Sequence, residues 1–315
     1  MTFVAWAPGR VNLIGEHTDY SGGLVLPVAI QLGVELEVTG PAEDLDLVSE
    51  EFGPPDAGWG RYASAVAAEL AELGRPPVGI RGVVRSTLPP GAGLSSSAAL
   101  EVAVALALCE AAGWPLEPMV LAQACRRAEF RAVGAPVGVL DQAASLLGSE
   151  GHALLLDCGT LEHRLVRVPP SAGLVVVDSG VKHSHETSGY AARRAELEVG
   201  MPSRVRHVRT ENERVTAFAA ALEHADLPRL GEILLASHAS LRDDYEVSVP
   251  ELDALVERAV EAGAYGARLV GGGFGGSVLA LVDAARADAF ASELGGIVAR
   301  PSQGAAIRRS TYANA

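Results

Sequence analysis

The sequence predicts an α+β fold, because predicted strands and helices are mixed along the chain without a regular strand–helix alternation. Alternating apolar and polar residues over 34–38 indicate a half-buried strand. Apolar residues at helical spacing over 62–73, followed by Gly74 and two prolines, indicate an amphipathic helix with a defined end. With 315 residues, 49% of them apolar, the chain can build a sizeable core in two domains or in one large domain.

The remaining elements are predicted from the same two patterns, namely short apolar or alternating runs for strands and apolar residues at helical spacing for helices. Further strands are predicted within 24–39 (two strands), 78–86, 152–156, 174–178, 277–282 and 305–310. Further helices are predicted at 98–112, 116–131, 190–199, 211–223, 227–238, 250–262 and 284–294. Asp141 occupies the position of an N-cap before a short helix that ends at Gly148.

Two segments lack such periodicity and are predicted to be connections. Residues 40–58, rich in Pro, Gly, Asp and Glu, indicate a surface connection. The polar, proline-bearing segment 159–172 is the best candidate for a change of domain. The predicted domains are therefore 1–168 and 169–315.

Composition excludes several classes of protein. The 25 basic and 39 acidic residues give a net charge of −14, which argues against a nucleic-acid partner. No apolar run is long enough for a membrane helix, and the N-terminal residues lack the pattern of a signal peptide. The scattered Cys109, Cys125 and Cys158 fit buried thiols better than disulfides or a zinc site. We therefore expect a cytoplasmic protein, and no obligate protein partner is indicated.

The lysine content bears directly on nucleotide binding. Lys182 is the only lysine of the chain. The Walker-type phosphate loop and the protein-kinase pattern each require a lysine in a fixed sequence context, and neither context is present. Any nucleotide phosphate must therefore be bound by backbone N–H groups, arginine, hydroxyls and metal.

The segment 89–100 is the strongest candidate for such a phosphate site. Gly91 and Gly93 allow the backbone to approach a ligand closely, and three serines, Ser95, Ser96 and Ser97, then open a helix rich in small residues. A helix N-terminus offers unpaired N–H groups and the positive end of the helix dipole. The alternative is an ordinary serine cap on a tightly packed helix.

The stretch 9–20, GRVNLIGEHTDY, concentrates polar groups near the N-terminus. Ala7-Pro8-Gly9 precedes it and Ser21-Gly22-Gly23 follows it, so that two turns are expected to bracket a dense set of hydrogen-bonding side chains. The alternative is a solvated loop between two strands.

Two further motifs are less specific. GGGFGG at 271–276 precedes a predicted strand, where polyglycine is often only a turn or a close backbone contact. The run His183-Ser184-His185-Glu186 could suggest a metal site, but histidines at this spacing in a polar loop are more often solvated.

These motifs together resemble a known family. GRVNLIGEHTDY is similar to the galactokinase signature, and PPGAGLSSSAALEV at 89–102 and GGGFGG resemble two motifs of the wider family of galacto-, homoserine, mevalonate and phosphomevalonate kinases (GHMP kinases). The resemblance continues through 138–158, 183–194 and 240–253, and so spans nearly the whole chain. It implies a fold of two α+β lobes with the active site in the cleft between them.

The resemblance also implies an activity, namely transfer of a phosphoryl group from ATP to the anomeric hydroxyl of α-D-galactose. By position, Asp141 matches the catalytic aspartate and Arg10 the arginine beside it. Residues that match sugar-binding groups are Glu16, His17, Asp19, Gly138 and Tyr190. Residues that match the triphosphate loop are Gly91, Gly93, Ser95, Ser96 and Ser97. Ser97 and Glu129 match the magnesium contacts, and Trp59 loosely matches an aromatic residue near the adenine.

The sequence differs from the pattern of the family in two places, and two other functions compete with the one that the resemblance implies. The chain is short for the family, mainly around 40–58, and Phe130-Arg131 replaces a pair that is polar in many relatives. The alternatives are another sugar 1-kinase, acting on N-acetylgalactosamine or arabinose, and a non-catalytic galactose sensor. A sensor would be expected to lose part of the Ser96-Ser97-Ala98 element or the catalytic pair, and all of these residues are present.

Overall fold

A computed structural model describes residues 2–134, 136–181 and 186–309. Its strands are β1 Phe3–Asn12, β2 Leu24–Val25, β3 Pro27–Ala42, β4 Leu45–Val48, β5 Gly79–Ser86, β6 His152–Asp157, β7 His163–Arg167, β8 Ala172–Asp178, β9 Gly266–Val270, β10 Ser277–Asp283, β11 Ile297–Ala299 and β12 Ala306–Arg308. Its helices are α1 Gly60–Glu72, α2 Ser96–Ala112, α3 Pro118–Val133, α4 Leu140–Leu147, α5 Glu186–Glu198, α6 Pro202–Glu223, α7 Leu227–Asp243, α8 Pro250–Glu261 and α9 Ala287–Leu294.

The first sheet has the order β12-β1-β3-β5-β4, and helix α2 packs against β1, β3 and β5. Helix α2 consists mainly of Ala, Val and Leu and is buried on nearly every side, as expected of a helix that is apolar all round. Its small side chains let α1, α3 and α4 also approach it closely. The helix is therefore held rigidly, with its N-terminus pointing out of this packed layer.

The second sheet has the order β11-β8-β10-β9, and α7, α8 and α9 pack against it. A third, three-stranded sheet has the order β2-β6-β7. The α+β prediction is confirmed, because the strand pairs within the described ranges are antiparallel except for β4 and β5, which run parallel.

The two larger sheets share one apolar core. The largest cluster of buried side chains includes Leu13 and Val66 from the N-terminal half together with Val176 and Leu279 from the second sheet. Strand β12 also returns to pair with β1 in the first sheet. The division of the chain at 168/169 stays a prediction.

Several local predictions were wrong. Ala7-Pro8-Gly9 is not a turn but lies within β1, where the pairing with β3 shifts register between Pro8 and Arg10. Asp141 lies inside the first turn of α4, and the residue at the N-cap is Val139. The predicted connections 40–58 and 159–172 contain strands β4 and β7. Four of the five β7 residues are exposed, so the strand has no continuous apolar pattern.

Lys182 and the run His183-Ser184-His185 lie outside the described residues. In the ranges that the structure does describe, no helix combines the length and the apolar character needed to cross a membrane.

Candidate active site

An ion pair between Arg10 on β1 and Asp141 on α4 lies at the centre of the site. Arg10 Nε donates to Asp141 Oδ1 at 2.7 Å, and Arg10 Nη2 donates to Asp141 Oδ2 at 2.7 Å. The third nitrogen, Nη1, donates to the carbonyl of Gly93 at 2.7 Å. A bidentate pair of this kind fixes the orientation of both side chains. The pairing of β1 with β3 shifts register between Pro8 and Arg10, and a shift of this kind bends a strand. The bend therefore lies next to the Arg10 side chain.

The serines at the start of α2 do not cap the helix. Ser95 has a left-handed backbone (φ 63°), and its hydroxyl donates to Asp141 Oδ2 instead of to the helix. Gly91 (φ 76°) and Gly93 (φ 68°) are also left-handed, a conformation that favours glycine. The segment therefore curves around the N-terminus of α2 and leaves its first N–H groups without a side-chain cap.

A cavity of about 280 Å³ lies in this curve. It is lined by all five residues of the predicted triphosphate loop, and also by Arg10, Asp141, Gly271 and Gly272. Unpaired N–H groups, the positive end of a helix and an arginine are suited to binding phosphate. The ordinary serine-cap alternative is thus not what the geometry favours.

A second cavity, of about 340 Å³, adjoins the first and shares Arg10, Ser97, Asp141 and the two glycines of the GGGFGG motif with it. Its remaining walls include all the predicted sugar residues, namely Glu16, His17, Asp19, Gly138 and Tyr190. The Arg10–Asp141 pair lies at the junction of the two cavities. The structure therefore brings the predicted site residues together in one cleft.

Glu16 is held by groups from the second half of the chain. Its Oε1 accepts from the N–H of Gly271 at 2.9 Å and from Arg268 Nη2 at 3.2 Å. Arg268 is fully buried on β9 and also donates to the carbonyls of Leu13, at 2.8 Å, and Asn12, at 2.6 Å. Glu16 is thus anchored before any ligand binds.

Asp19 faces the same cavity from a short helical turn. Its Oδ2 accepts from the N–H of Gly138 at 3.1 Å. Burial and the nearby charges of Asp141 and Glu16 together raise the pKa of Asp19 to about 7. A carboxyl group with a pKa near neutrality can either accept a hydrogen bond from a sugar hydroxyl or donate one to it.

The predicted metal contacts lie side by side at the other end of the cavity. Ser97 Oγ donates to Glu129 Oε1 at 3.1 Å. Burial and the charge of Asp141 together raise the pKa of Glu129 to about 7. A buried carboxylate and a hydroxyl are hard oxygen donors of the kind that Mg²⁺ prefers, and a cation here would relieve the repulsion between Glu129 and Asp141. The donor set fits magnesium.

Sequence reasoning missed three supporting residues. Gln142 Nε2 donates to Glu129 at 2.7 Å and to the buried Glu101 at 3.1 Å. Arg268 anchors Glu16. An arginine within the otherwise apolar strand GARLV is a signal from which Arg268 could have been identified. Gln142 and Glu101 offer no comparable signal, because their partners are distant in sequence.

A separate cavity of about 240 Å³ lies beside Trp59 and is otherwise lined by residues of β4, α1 and the turn between them. The Trp59 indole donates to the carbonyl of Gly53 at 2.9 Å, and its ring lies 6.2 Å from that of Phe52. The shortened 40–58 region thus still forms a hollow next to this aromatic residue.

Comparisons with known proteins agree with this geometry. Residues 1–39 match the galactokinase galactose-binding signature, 61–149 match the GHMP kinases N terminal domain, and 218–298 match the GHMP kinases C terminal domain. The galactokinase of Streptomyces coelicolor is 42% identical, with 90% of this chain and 85% of that protein covered. The galactokinase of Chloroflexus aurantiacus is 39% identical, with 93% and 87% covered.

Solved structures give the same result. The Lactococcus lactis galactokinase complexed with galactose superposes with a TM-score of 0.89 at 31% identity, covering 97% of this chain and 95% of that chain. The L. major mevalonate kinase shares the fold, with a TM-score of 0.75 at 21% identity and 97% of both chains covered. From these matches, together with the cleft described above, the chain belongs to the galactokinase family of the GHMP kinases.

Proposed function

We propose that the protein transfers the γ-phosphoryl group of ATP to the anomeric hydroxyl of α-D-galactose, giving galactose 1-phosphate and ADP. The observation that carries this proposal is the position of the Arg10–Asp141 pair at the junction of the two cavities. A sugar in the larger cavity and a triphosphate in the smaller one would meet at this pair. The family to which the chain belongs catalyses this type of transfer.

Asp141 is the group that we assign to the proton of the anomeric hydroxyl. Its two oxygens are fixed by Arg10, and Oδ1 keeps a lone pair that can accept this proton as the sugar oxygen attacks phosphorus. Arg10 faces both cavities and would stabilise the negative charge that spreads over the transferred group. Phosphoryl transfer has a loose transition state, so the placement of these groups contributes more than the strength of the base.

Gly91, Gly93 and Ser95 to Ser97 would hold the phosphates of ATP through backbone N–H groups and hydroxyls. Ser97 and Glu129 would hold Mg²⁺, which neutralises charge on the phosphates when bound. In the structure Ser95 donates to Asp141 and Ser97 donates to Glu129. We infer that both hydroxyls exchange these partners for phosphate and metal when the nucleotide binds.

Glu16, His17, Asp19, the Gly138 backbone and Tyr190 would bind the sugar hydroxyls. Each offers a directional hydrogen bond, and a buried polar group left without its partner costs roughly 1–3 kcal/mol. A sugar with the opposite configuration at one carbon would leave at least one of them unpaired and would be rejected.

The cysteine content and composition further lead us to place the enzyme in the cytoplasm, without an obligate protein partner.

A coupled assay of ADP release tests the proposal across galactose, talose, 2-deoxygalactose, N-acetylgalactosamine, arabinose and mevalonate. We expect the highest kcat/KM with galactose. A higher value with N-acetylgalactosamine or arabinose would identify a related sugar 1-kinase instead. Galactose binding without ADP release from any of these substrates would identify a sensor.

A further inference from the structure

The imidazole of His17 is packed among other rings at the back of the sugar cavity. His17 is 3% exposed, and its ring centroid lies 4.6 Å from that of the fully buried Tyr245. The ring of Tyr245 lies in turn 4.7 Å from that of His207. His17 also has a left-handed backbone (φ 62°), which is uncommon for a residue other than glycine and often marks a functional site.

Two tyrosine hydroxyls connect to the inner nitrogen of this ring. The hydroxyls of Tyr245 and Tyr20 lie 2.7 Å apart, and that of Tyr20 lies 2.9 Å from His17 Nδ1. Each phenol has one proton to donate. Among the described residues, Tyr20 is the only hydrogen-bond partner of the Tyr245 hydroxyl. Tyr245 therefore donates to Tyr20, and Tyr20 donates to His17 Nδ1, since the opposite direction would leave a buried O–H without an acceptor.

This direction determines the tautomer of His17. Burial, together with the nearby His207 ring, lowers the pKa of His17 to about 3, so the ring is neutral. A neutral imidazole whose Nδ1 accepts a hydrogen bond carries its proton on Nε2. Nε2 is buried, has no hydrogen-bond partner of suitable geometry in the described residues, and belongs to a residue of the cavity wall. The nearby backbone of Gly272 acts in the opposite direction and raises the pKa of His17. It does not, however, lie in hydrogen-bonding geometry with Nε2.

A second histidine supports the adjacent residue in the same way. His207 Nε2 lies 3.1 Å from the carbonyl oxygen of Glu16, which can only accept, so this nitrogen carries the proton. His207 Nδ1 lies 2.9 Å from the hydroxyl of Ser240. Burial lowers the pKa of His207 and keeps this ring neutral as well. Glu16 and His17 are thus both oriented by groups that come from α6, α7 and the segment after α7.

We infer that Tyr245 and Tyr20 are positioning residues that hold His17 as an Nε2–H donor towards an oxygen atom of the sugar. The identity of the sugar rests on the proposed function, whereas the direction of the relay is a property of the ligand-free protein. The hydroxyl that meets His17 contributes its lone pair, and its own proton remains free for a carboxylate such as Glu16 or Asp19. The donor and the acceptors of the cleft are therefore complementary.

The tautomer can be measured directly by long-range ¹H–¹⁵N NMR of the histidine rings in the ligand-free enzyme. The His17 signal is assigned by its loss in His17→Asn. We expect the Nε2–H form in the wild type and in Tyr265→Phe, which removes an exposed hydroxyl outside the relay. We expect a mixture of the two tautomers in Tyr20→Phe and in Tyr245→Phe. A wild-type ring protonated on Nδ1 would overturn the inference.

Kinetics test whether the relay serves the sugar. Tyr20→Phe and Tyr245→Phe should raise KM for galactose about 3- to 10-fold, the effect of one hydrogen bond, and leave kcat and KM for ATP within about twofold. Tyr265→Phe should leave all three constants unchanged. An equal change in the KM values for galactose and ATP would indicate a general loss of structure and would contradict the positioning role.

Sugar analogues test the donor role itself. Fluorine accepts a hydrogen bond weakly and cannot donate one, whereas a deoxy position can do neither. At the sugar position that His17 contacts, the fluoro analogue should bind better than the deoxy analogue, and this difference should disappear in His17→Asn. Equal losses for both analogues at every position would refute donation by His17. If galactose is not phosphorylated at all, the proposed function fails, and the NMR result still decides the direction of the relay.

Discussion

Asp141 has three of its hydrogen-bonding positions occupied before any substrate binds. Oδ1 accepts from Arg10 Nε, and Oδ2 accepts from both Arg10 Nη2 and Ser95. A carboxylate has about four lone-pair positions, so one remains, on Oδ1. Arg10 and Ser95 thus fix the orientation of this carboxylate, and we expect that fixed orientation to be its main contribution to the reaction.

The first prediction at this scale concerns Asp141→Asn. The amide removes the charge and one acceptor beside Arg10, so we expect turnover to fall about 10²–10⁴-fold with galactose affinity little changed. The measurement is kcat by coupled ADP release, together with a galactose titration. Asp288→Asn, which removes a charge from an exposed side chain, is the control. Undiminished turnover in Asp141→Asn would refute the assignment of the base.

The second prediction concerns pH and Asp19. Because its folded pKa of about 7 lies above the ordinary aspartate value of 3.8, the native state binds a proton between about pH 4 and 7 that the unfolded state does not. The contribution of Asp19 to the free energy of unfolding therefore decreases as pH rises through this window. Asp19→Asn keeps a hydrogen-bond acceptor for the Gly138 N–H. It should raise the free energy of unfolding by about 1–2 kcal/mol at pH 8. This gain is smaller than the full pKa shift of Asp19 would give, because water reaches the cleft.

Urea unfolding of wild type and Asp19→Asn at pH 5 and pH 8 checks this prediction. The gain should be clearly smaller at pH 5, where the native wild-type carboxyl is already neutral, and it should vanish only below about pH 4, where the unfolded carboxyl is neutral as well. Glu129 titrates in the same range in both proteins, and so the difference between them reports Asp19. An equal difference at both pH values would show that burial does not shift this group.

At the scale of elements, the helices were predictable from two kinds of pattern: α8 has an apolar face at helical spacing, whereas α2 is a run of small apolar residues that is buried on nearly every side. The predicted helices at 98–112 and 250–262 correspond to α2 Ser96–Ala112 and α8 Pro250–Glu261. Strand β4 was missed because it has only four residues, two of them exposed, and β7 was missed because four of its five residues are exposed. The sequence motifs identified the residues that line the cleft, but not Tyr245 or Arg268, whose partners lie more than 200 positions away. The roles assigned to the lining residues remain predictions.

The third prediction concerns the connection between α3 and α4. A Cβ at Gly138 would overlap the carboxylate of Asp19, which bonds to the Gly138 N–H. Gly138→Ala should therefore displace Asp19 and raise KM for galactose about 10-fold or more, with KM for ATP little changed. Gly40→Ala is the control, because a Cβ there meets nothing within 4 Å. Unchanged galactose KM in Gly138→Ala would show that the loop adapts without moving Asp19.

At the scale of the whole molecule, one buried arginine joins the two halves of the chain. Arg268 on β9 bonds to the backbone of β1 at Asn12, to Leu13 just beyond it and to the carboxylate of Glu16. Its Nε and Nη2 make these bonds, and its Nη1 donates to the carbonyl of Leu269 at 2.7 Å, so that buried carbonyls and a buried charge are paired. We therefore expect stability and sugar binding to depend on the same side chain.

The fourth prediction follows for Arg268→Lys. Lysine keeps the charge but cannot reach these acceptors from one planar group, so we expect the free energy of unfolding to fall by about 2–4 kcal/mol. KM for galactose should rise as well, because Glu16 loses its anchor. The measurements are urea unfolding and galactose kinetics, with the exposed Arg167→Lys as control. Equal stability of the two variants would contradict the joining role of Arg268.

Strand β12 also affects whether separate copies of the protein aggregate. Its three residues pair with Val4, Ala5 and Trp6 of β1, and the Arg308 guanidinium lies 4.8 Å from the centre of the Trp6 ring. Without them, β1 would present an open row of N–H and C=O groups, on which strands of separate molecules pair and aggregate. Proteolysis of the connection at 300–305 would therefore yield an aggregation-prone protein that still carries every residue of the catalytic cleft.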